Sequence, residues 1–272
     1  MTYQEVLENA RTCIGPFCKA CPVCNGKACG NKVPGPGAKG TGTVAIQNYD
    51  AWQKICINMD TICENKPVDT TFELFGQTFK YPIFAGPVGA MKLHYGDKYD
   101  DQEYNSILVS ACADAGIAAF TGDGTNPAVM EGATQAIKAA GVPLILKGIM
   151  RVKGALKAKE AGASAIVVSN HGGRVLDQCP PTAEVLPEIA EAVGKDMKIF
   201  VDGGIRSGVD ILKALALGAD AVLIGRPFVT AVYGGAEEGV LALAEKLSSE
   251  LADAMAMCGV HSLSEITRDV VR

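Results

Sequence analysis

From Pro82 to the C-terminus the chain alternates two hydrophobic patterns. Short runs that are apolar throughout read as strands buried on both faces: "PIFAGPVG", "IAAFTGDG", "VPLILKGI", "SAIVVSNHGG", "KIFVDGGI" and "DAVLIGRPF". Between them stand amphipathic stretches with helical spacing: "DQEYNSILVSACADAG", "NPAVMEGATQAIKAAG", "VKGALKAKEAGA", "TAEVLPEIAEAVG" and "GVDILKALALGA". Each carries a glycine at or near its end, where a helix is commonly capped. "EEGVLALAEKLSSELADAMAMCG" follows the last strand as a longer helix. Buried strands alternating with amphipathic helices predict a parallel sheet covered by helices on its outer face.

Such a sheet either lies open and doubly wound or closes into a barrel. No G-x-G-x-x-G follows the first strand, which counts against a dinucleotide-binding sheet. Polar residues gather instead where the strands end: Thr121 and Asp123, Lys147, Ser169 with His171, Asp202, and Arg226. That distribution fits a (β/α) TIM barrel, whose site collects at one rim. A complete barrel has about eight strands, and six βα units are recognisable here. The reading is therefore an α/β, TIM barrel-like fold that is incomplete.

Upstream, "TTFELFGQTFKYPI" alternates around Gly76 and reads as a hairpin. "NYDAWQKICINM" reads as a short helix, and residues 1–12 as another. Residues 13–42 are rich in Cys, Gly and Pro, without apolar periodicity. The expected division is an N-terminal helix with a Cys-rich segment (1–42) and a barrel-like domain (43–272).

Composition narrows the class. The chain has 272 residues, 48% of them apolar, and a net charge of −5. It lacks a Lys/Arg block, which argues against nucleic acid as a partner. No run of about 18 apolar residues occurs, so no membrane span is expected. The N-terminus reads as an amphipathic helix start rather than a signal peptide, and the expected location is cytoplasmic. Of ten cysteines, five fall between positions 13 and 29. In a cytosolic chain such a cluster points to metal before disulfide. Cys18, Cys21 and Cys24 are spaced C-x2-C-x2-C, with Cys29 beyond. This spacing suits an iron–sulfur cluster or a four-thiolate zinc site, and unligated reduced thiols are the alternative.

The last two strands end in "VDGGIRSG" and "IGRPF". Glycine-rich turns that open helices can cradle a phosphate with backbone N–H groups. Arg206 and Arg226 can add charge-assisted contacts, or can be ordinary surface arginines at tight turns. Lys147 can stabilise negative charge on a bound ring or form a Schiff base with a sugar phosphate. It can also merely extend its ammonium to water. His171 and Arg174 lie three residues apart with glycines between them. A guanidinium fork binds a carboxylate at two points, and a nearby imidazole can take a hydroxyl proton at neutral pH. The pair suits a substrate with a carboxylate and an adjacent hydroxyl; a histidine that caps the next helix is the plainer alternative.

The stretches "VPLILKGI", "IVVSNHGGRVLD", "TAEVLPEIAEAVG", "IFVDGGIRSGVDILKALALGADAVLIGRPF" and "MCGVHSLSEITRD" resemble the FMN-dependent α-hydroxy acid dehydrogenase/oxidase family. "FGQTFKYPIFAGPVGAMKL" resembles the family's first strand and the hairpin before it, and "CPVCNGKAC" resembles a subgroup from anaerobic bacteria. The resemblance implies FMN as cofactor and a small 2-hydroxy acid, lactate- or glycolate-like, as substrate. It implies that Lys147 stands near flavin N1, that His171 is the base for the 2-hydroxyl or α-carbon proton, and that Arg174 holds the carboxylate. Asp202, Gly203, Gly204, Arg206, Gly225 and Arg226 would hold the phosphate and ribityl chain. Pro87, Val88 and Gly89 would run along the flavin, with Thr121 and Gly122 close by and Ser169 on the same rim.

The departures from the family pattern carry expectations of their own. Two further βα units usually precede the Lys147 strand, and here one helix, 127–140, spans the interval. The fourth-strand carboxylate that orients the histidine is thereby absent, as are the third-strand tyrosine and a clear N-terminal tyrosine. Six βα units cannot close with eight-stranded geometry, because strand number, tilt and stagger are linked. The expected form is open, with Ile117–Thr121 and Leu144–Lys147 flanking the breach or pulled partly together. Unpaired edges invite pairing with another chain, and a homo-oligomer is expected. Three functions compete: oxidation of a 2-hydroxy acid, a flavin-binding but weak or inactive remnant, and a sugar-phosphate lyase or isomerase. The electron acceptor stays open.

Overall fold

The computed structural model describes residues 1–29, 42–122 and 143–272. Helix 127–140 lies outside the described residues, as does part of the Cys-rich segment. In chain order the elements are α1 (Tyr3–Cys13), α2 (Val44–Lys54), β1 (Phe72–Leu74), β2 (Gln77–Phe79), β3 (Ile83–Ala85), α3 (Met91–His94) and α4 (Asp101–Asp114). They continue as β4 (Ile145–Ile149), α5 (Val152–Glu160), β5 (Ala165–Val168), α6 (Thr182–Val193), β6 (Lys198–Val201), α7 (Gly208–Ala216), β7 (Ala221–Ile224) and α8 (Arg226–Met257). Among the described residues no helix is long and apolar enough to cross a membrane.

Local chemistry sets several boundaries. Thr2 and Glu5 form a capping box at α1, and Asp100 and Glu103 form another at α4. Each satisfies backbone N–H groups that a first turn leaves without partners. The hairpin forms as expected, β1 pairing antiparallel with β2, Phe72 opposite Phe79. α8 starts directly at Arg226, earlier than its apolar stripe suggests, and is broken at Ala236, whose φ is 45°.

The five long-range strands form one parallel sheet in the order β3-β7-β6-β5-β4. The expected strand at "IAAFTGDG" is reduced to a parallel bridge, Ala85 opposite Ala119, flanked by hydrogen bonds of 3.1 and 2.8 Å. This segment therefore lies beyond β3 at one end of the sheet, while β4 forms the other end. Among the described residues nothing pairs the two, as the open form requires. β4 is half-buried along its whole length, whereas β5 is fully buried. That difference is the burial pattern of an edge strand.

Alternation within the buried strands divides two cores. Ile83, Ile166, Val168, Ile199, Val201, Val222 and Ile224 face the helices. Phe84, Ala165, Val167, Phe200, Ala221 and Leu223 face inward with Phe72 and Leu74 of the hairpin. Phe84 is the centre of the inner core, its ring 4.9 to 6.3 Å from those of Phe72, Phe79, Phe120 and Phe200. Edge-on aromatic contacts of this kind fill the interior from one end. The parallel strands then deliver their C-terminal ends to the other.

Candidate active site

Because the strands run parallel, the residues that follow them converge. Pro87, Val88 and Gly89 follow β3, His171 and Arg174 follow β5, Asp202, Gly203, Gly204 and Arg206 follow β6, and Gly225 and Arg226 follow β7. With Thr121 and Lys147 they line one cavity of about 590 Å³. Gly122 packs against the Val88 carbonyl beside it. Ser169 lies beneath the wall, 1% exposed.

Ser169 organises the reactive side. The Lys147 ammonium donates to its hydroxyl at 2.9 Å, and the His171 backbone N–H donates to the same oxygen at 3.1 Å. Lys147 also pairs with Asp202 at 3.0 Å, both side chains largely buried. A snorkelling lysine is thereby excluded: this ammonium is fixed between two strand ends. Next to it Gly148 has φ 100°, and a Cβ there would lie 3.1 Å from His171 Cε1. Glycine thus admits the imidazole against β4. His171 itself begins a 3-10 turn (His171–Gly173), with Asn170 as N-cap accepting from the Gly173 N–H at 3.2 Å.

The opposite wall carries glycine-rich turns and two arginines. The backbone N–H groups of Gly203, Gly204 and Gly225 make no hydrogen bond among the described residues. Arg206 and Arg226 approach closely enough for their charges to repel, and burial with that repulsion lowers the Arg206 pKa. Burial opposes the charge on Arg226 too, but Cys24 and Tyr95 outweigh it and raise its pKa. One carboxylate oxygen of Asp202, Oδ1, is buried without a hydrogen-bond partner. Free N–H groups, adjacent guanidiniums and an unspent acceptor are the complement of a phosphate carrying a hydroxylated chain.

Arg206 departs from a pure phosphate ligand. Its Nε donates to the Cys24 carbonyl at 2.7 Å and its Nη1 to the Ile205 carbonyl at 2.6 Å, while Nη2 reaches the Cys24 Sγ at 3.9 Å. It anchors the Cys-rich segment as well as lining the cavity.

The expected metal site of Cys18, Cys21, Cys24 and Cys29 is not supported by the structure. Among the described residues no group of three or more His, Cys, Asp or Glu side chains is arranged to hold an ion. Cys24 Sγ lies 3.9 Å from Arg206 Nη2 and Cys29 donates to the Gly26 carbonyl at 3.6 Å, while Cys18, Cys21, Cys24 and Cys29 stand near enough to feel one another's charge. Burial pushes the Cys18 thiol up to about 11. Burial also opposes ionisation of Cys24, but Arg226 and then Arg206 pull it below the ordinary thiol value.

Two cavity residues escaped the sequence reading, His94 and Tyr95 at the end of α3. Both are 1% exposed, and both His94 ring nitrogens and the Tyr95 hydroxyl are buried without partners. Burial, then the Arg174 guanidinium, holds His94 below the usual histidine range, which favours the neutral ring. Their only sequence signal is adjacency to the glycine-rich turn after β3.

The parallel βα sheet thus brings Lys147, His171 and Arg174 into one cavity with glycine-rich turns and two further arginines. The particular family follows from comparison: the model of the FMN-dependent dehydrogenase family matches residues 36–136 and 125–272. The chain belongs to that family. It is 48% identical over 130 residues to a 2-hydroxyacid oxidase of Dictyostelium discoideum, covering 48% of this chain and 34% of that one. It is 42% identical over 160 residues to human 2-hydroxyacid oxidase 1, covering 58% and 43%. An L-lactate dehydrogenase of Pseudomonas putida is 50% identical over 127 residues, covering 47% and 33%. The chain thus spans 33% to 43% of the length of these curated relatives. Among solved structures, a mandelate oxidase variant with the monooxide FMN adduct superposes with a TM-score of 0.75 at 27% identity, covering 90% of this chain and 98% of that one. Mandelate oxidase with a difluorinated 2-hydroxy-3-phenylpropionic acid gives 0.78 at 25% identity, covering 100% and 98%.

Proposed function

We propose that the chain binds FMN in the 590 Å³ cavity and oxidises a small 2-hydroxy acid to the 2-oxo acid. The observation that carries this reading is the meeting of Lys147, His171 and Arg174 with the anion-binding wall in one cavity. The unspent Asp202 Oδ1 would accept from a ribityl hydroxyl. Gly203, Gly204, Gly225, Arg206 and Arg226 would hold the phosphate. Pro87, Val88, Gly89, Thr121 and Gly122 would flank the ring, with Ser169 and Asp202 fixing Lys147 where it opposes negative charge on it. Bound there, FMN supplies a two-electron acceptor. Arg174 grips the carboxylate at two points, and His171 takes the proton of the 2-hydroxyl or the α-carbon.

Relatives named 2-hydroxyacid oxidase and L-lactate dehydrogenase support the substrate class. The alternative, a flavin-binding chain with weak turnover, is favoured by one feature: among the described residues nothing pairs residues 117–120 with β4. The test supplies the FMN-loaded protein with glycolate, (S)-lactate or (S)-mandelate and an artificial two-electron acceptor. The matching 2-oxo acid should accumulate in proportion to acceptor reduced. No product from any of the three would overturn the reading in favour of the alternative.

A further inference from the structure

The loop that carries His171 and Arg174 is held in a costly shape. His171, Gly172 and Gly173 have φ of 55, 64 and 83°, three successive residues in the left-handed region. A non-glycine residue rarely stays there unless its surroundings hold it. The residues that hold it come from α2, far away in sequence. Asn48, fully buried, exchanges two hydrogen bonds with Asn170: its Nδ2 donates to Asn170 Oδ1 at 2.7 Å, and Asn170 Nδ2 donates to its Oδ1 at 2.8 Å. Asn48 Oδ1 also accepts from the Thr182 N–H at 3.3 Å, where α6 begins.

The far end of the loop is tied to the same helix. Asp177 is 6% exposed and accepts from the Gly42 and Val44 N–H groups at 2.7 and 3.2 Å and from the Thr43 hydroxyl at 3.2 Å. Between the two ties the loop lies flush against α2: a Cβ on Gly173 would stand 2.7 Å from the Ala45 nitrogen. One turn further along, the Trp52 indole donates to the Gly203 carbonyl at 2.8 Å, so α2 also touches the phosphate turn.

We propose that α2 is a splint for the catalytic loop, with Asn48 and Asp177 as positioning residues that set His171 and Arg174 against the substrate. This rests on the reading that those two residues act on a 2-hydroxy acid. The reciprocal amide pair is suited to the task because each side chain serves as donor and acceptor at once, and its burial leaves water no chance to replace it.

The test uses the full chain loaded with FMN, comparing wild type with Asn48→Leu, Asn48→Asp and Asp177→Asn. Amide hydrogen exchange is followed by peptide, together with kcat, KM and the FMN dissociation constant. Asn48→Leu should speed exchange within residues 171–177 by about tenfold or more, a local opening. It should lower kcat by about the same factor, with FMN affinity changed less than about threefold. Asn48→Asp keeps the acceptor for Asn170 Nδ2 and Thr182 but loses the donor, and should fall between. Asp177→Asn should loosen residues 175–177 first. Unchanged exchange in the loop, or faster exchange spread equally over β5, β6 and β7, would overturn the splint. If the leucine variant does not fold, the two conservative variants decide by the same criteria. A wild type that turns over no 2-hydroxy acid while Asn48→Leu still frees the loop would sink the functional reading and leave the splint standing.

Discussion

His171 is the base in the proposed reaction, and its surroundings separate that role from cofactor binding. Its backbone N–H is tied to Ser169, whose hydroxyl also receives the Lys147 ammonium. Removing the imidazole should leave that network and the anion wall intact. His171→Ala is therefore expected to lower turnover by about 10²–10⁴-fold while the flavin absorbance stays with the protein. Loss of flavin with the imidazole would place His171 in cofactor binding instead. Arg174 makes no side-chain hydrogen bond or ion pair among the described residues, so its donors are available to a ligand. Arg174→Lys keeps the charge but not the fork, and should raise KM by about tenfold, or ~1.4 kcal/mol, with a smaller change in kcat. Equal KM for the two proteins would show that the carboxylate is held elsewhere. Most of these residues were legible in the sequence because strand ends in a parallel sheet share one edge. His94 and Tyr95 were not, since they sit on a one-turn helix whose place in the cavity is set by tertiary packing alone.

Among the elements, β4 shows how a strand serves the site. Gly148 interrupts its pairing with β5, where the register shifts between Lys147 and Ile149. A side chain at 148 would suffer both the backbone strain of φ 100° and contact with His171. Gly162, at the end of α5, has φ 77° with open space around it, and so isolates the strain. Both Gly148→Ala and Gly162→Ala should lower thermal stability by about 1–3 kcal/mol. Gly148→Ala alone should also depress turnover. If both variants kept full activity, the contact between β4 and the imidazole would have no functional weight. The described helices that follow β4, β5 and β6 and the hairpin were legible because their apolar period is local, whereas the helix read at 48–59 lies earlier, at Val44–Lys54. The strand at 117–120 was overestimated: its apolar run is real, but with one neighbour it makes a single bridge. The Cys-rich segment is a different case. Spacing along the chain says how near thiols can come, and here two of them also engage Arg206 and a local carbonyl.

At the scale of the molecule, among the described residues the sheet runs from residues 117–120 on one side to β4 on the other, and the cavity belongs mostly to the contiguous strands between. The incomplete barrel was legible because six βα units cannot satisfy eight-stranded geometry; which strands would be the edges followed from chain order. The proposed phosphate wall, built on the turns after β6 and β7, should bind an anion without help from residues 117–120 or β4. FMN is therefore expected to bind at least about 100-fold more tightly than riboflavin, which lacks the phosphate, with the difference shrinking as salt rises. Fluorescence titration of the two flavins checks this, and equal affinities would remove the anion from the wall.

The central claim, that this cavity brings a 2-hydroxy acid against FMN, is tested most directly by anaerobic spectroscopy. The FMN-loaded protein is mixed without oxygen with glycolate, (S)-lactate or (S)-mandelate, and the visible flavin absorbance is followed. Bleaching by at least one acid is predicted, lost in His171→Ala. A flavin that stays bound and fully coloured with every acid would contradict the claim.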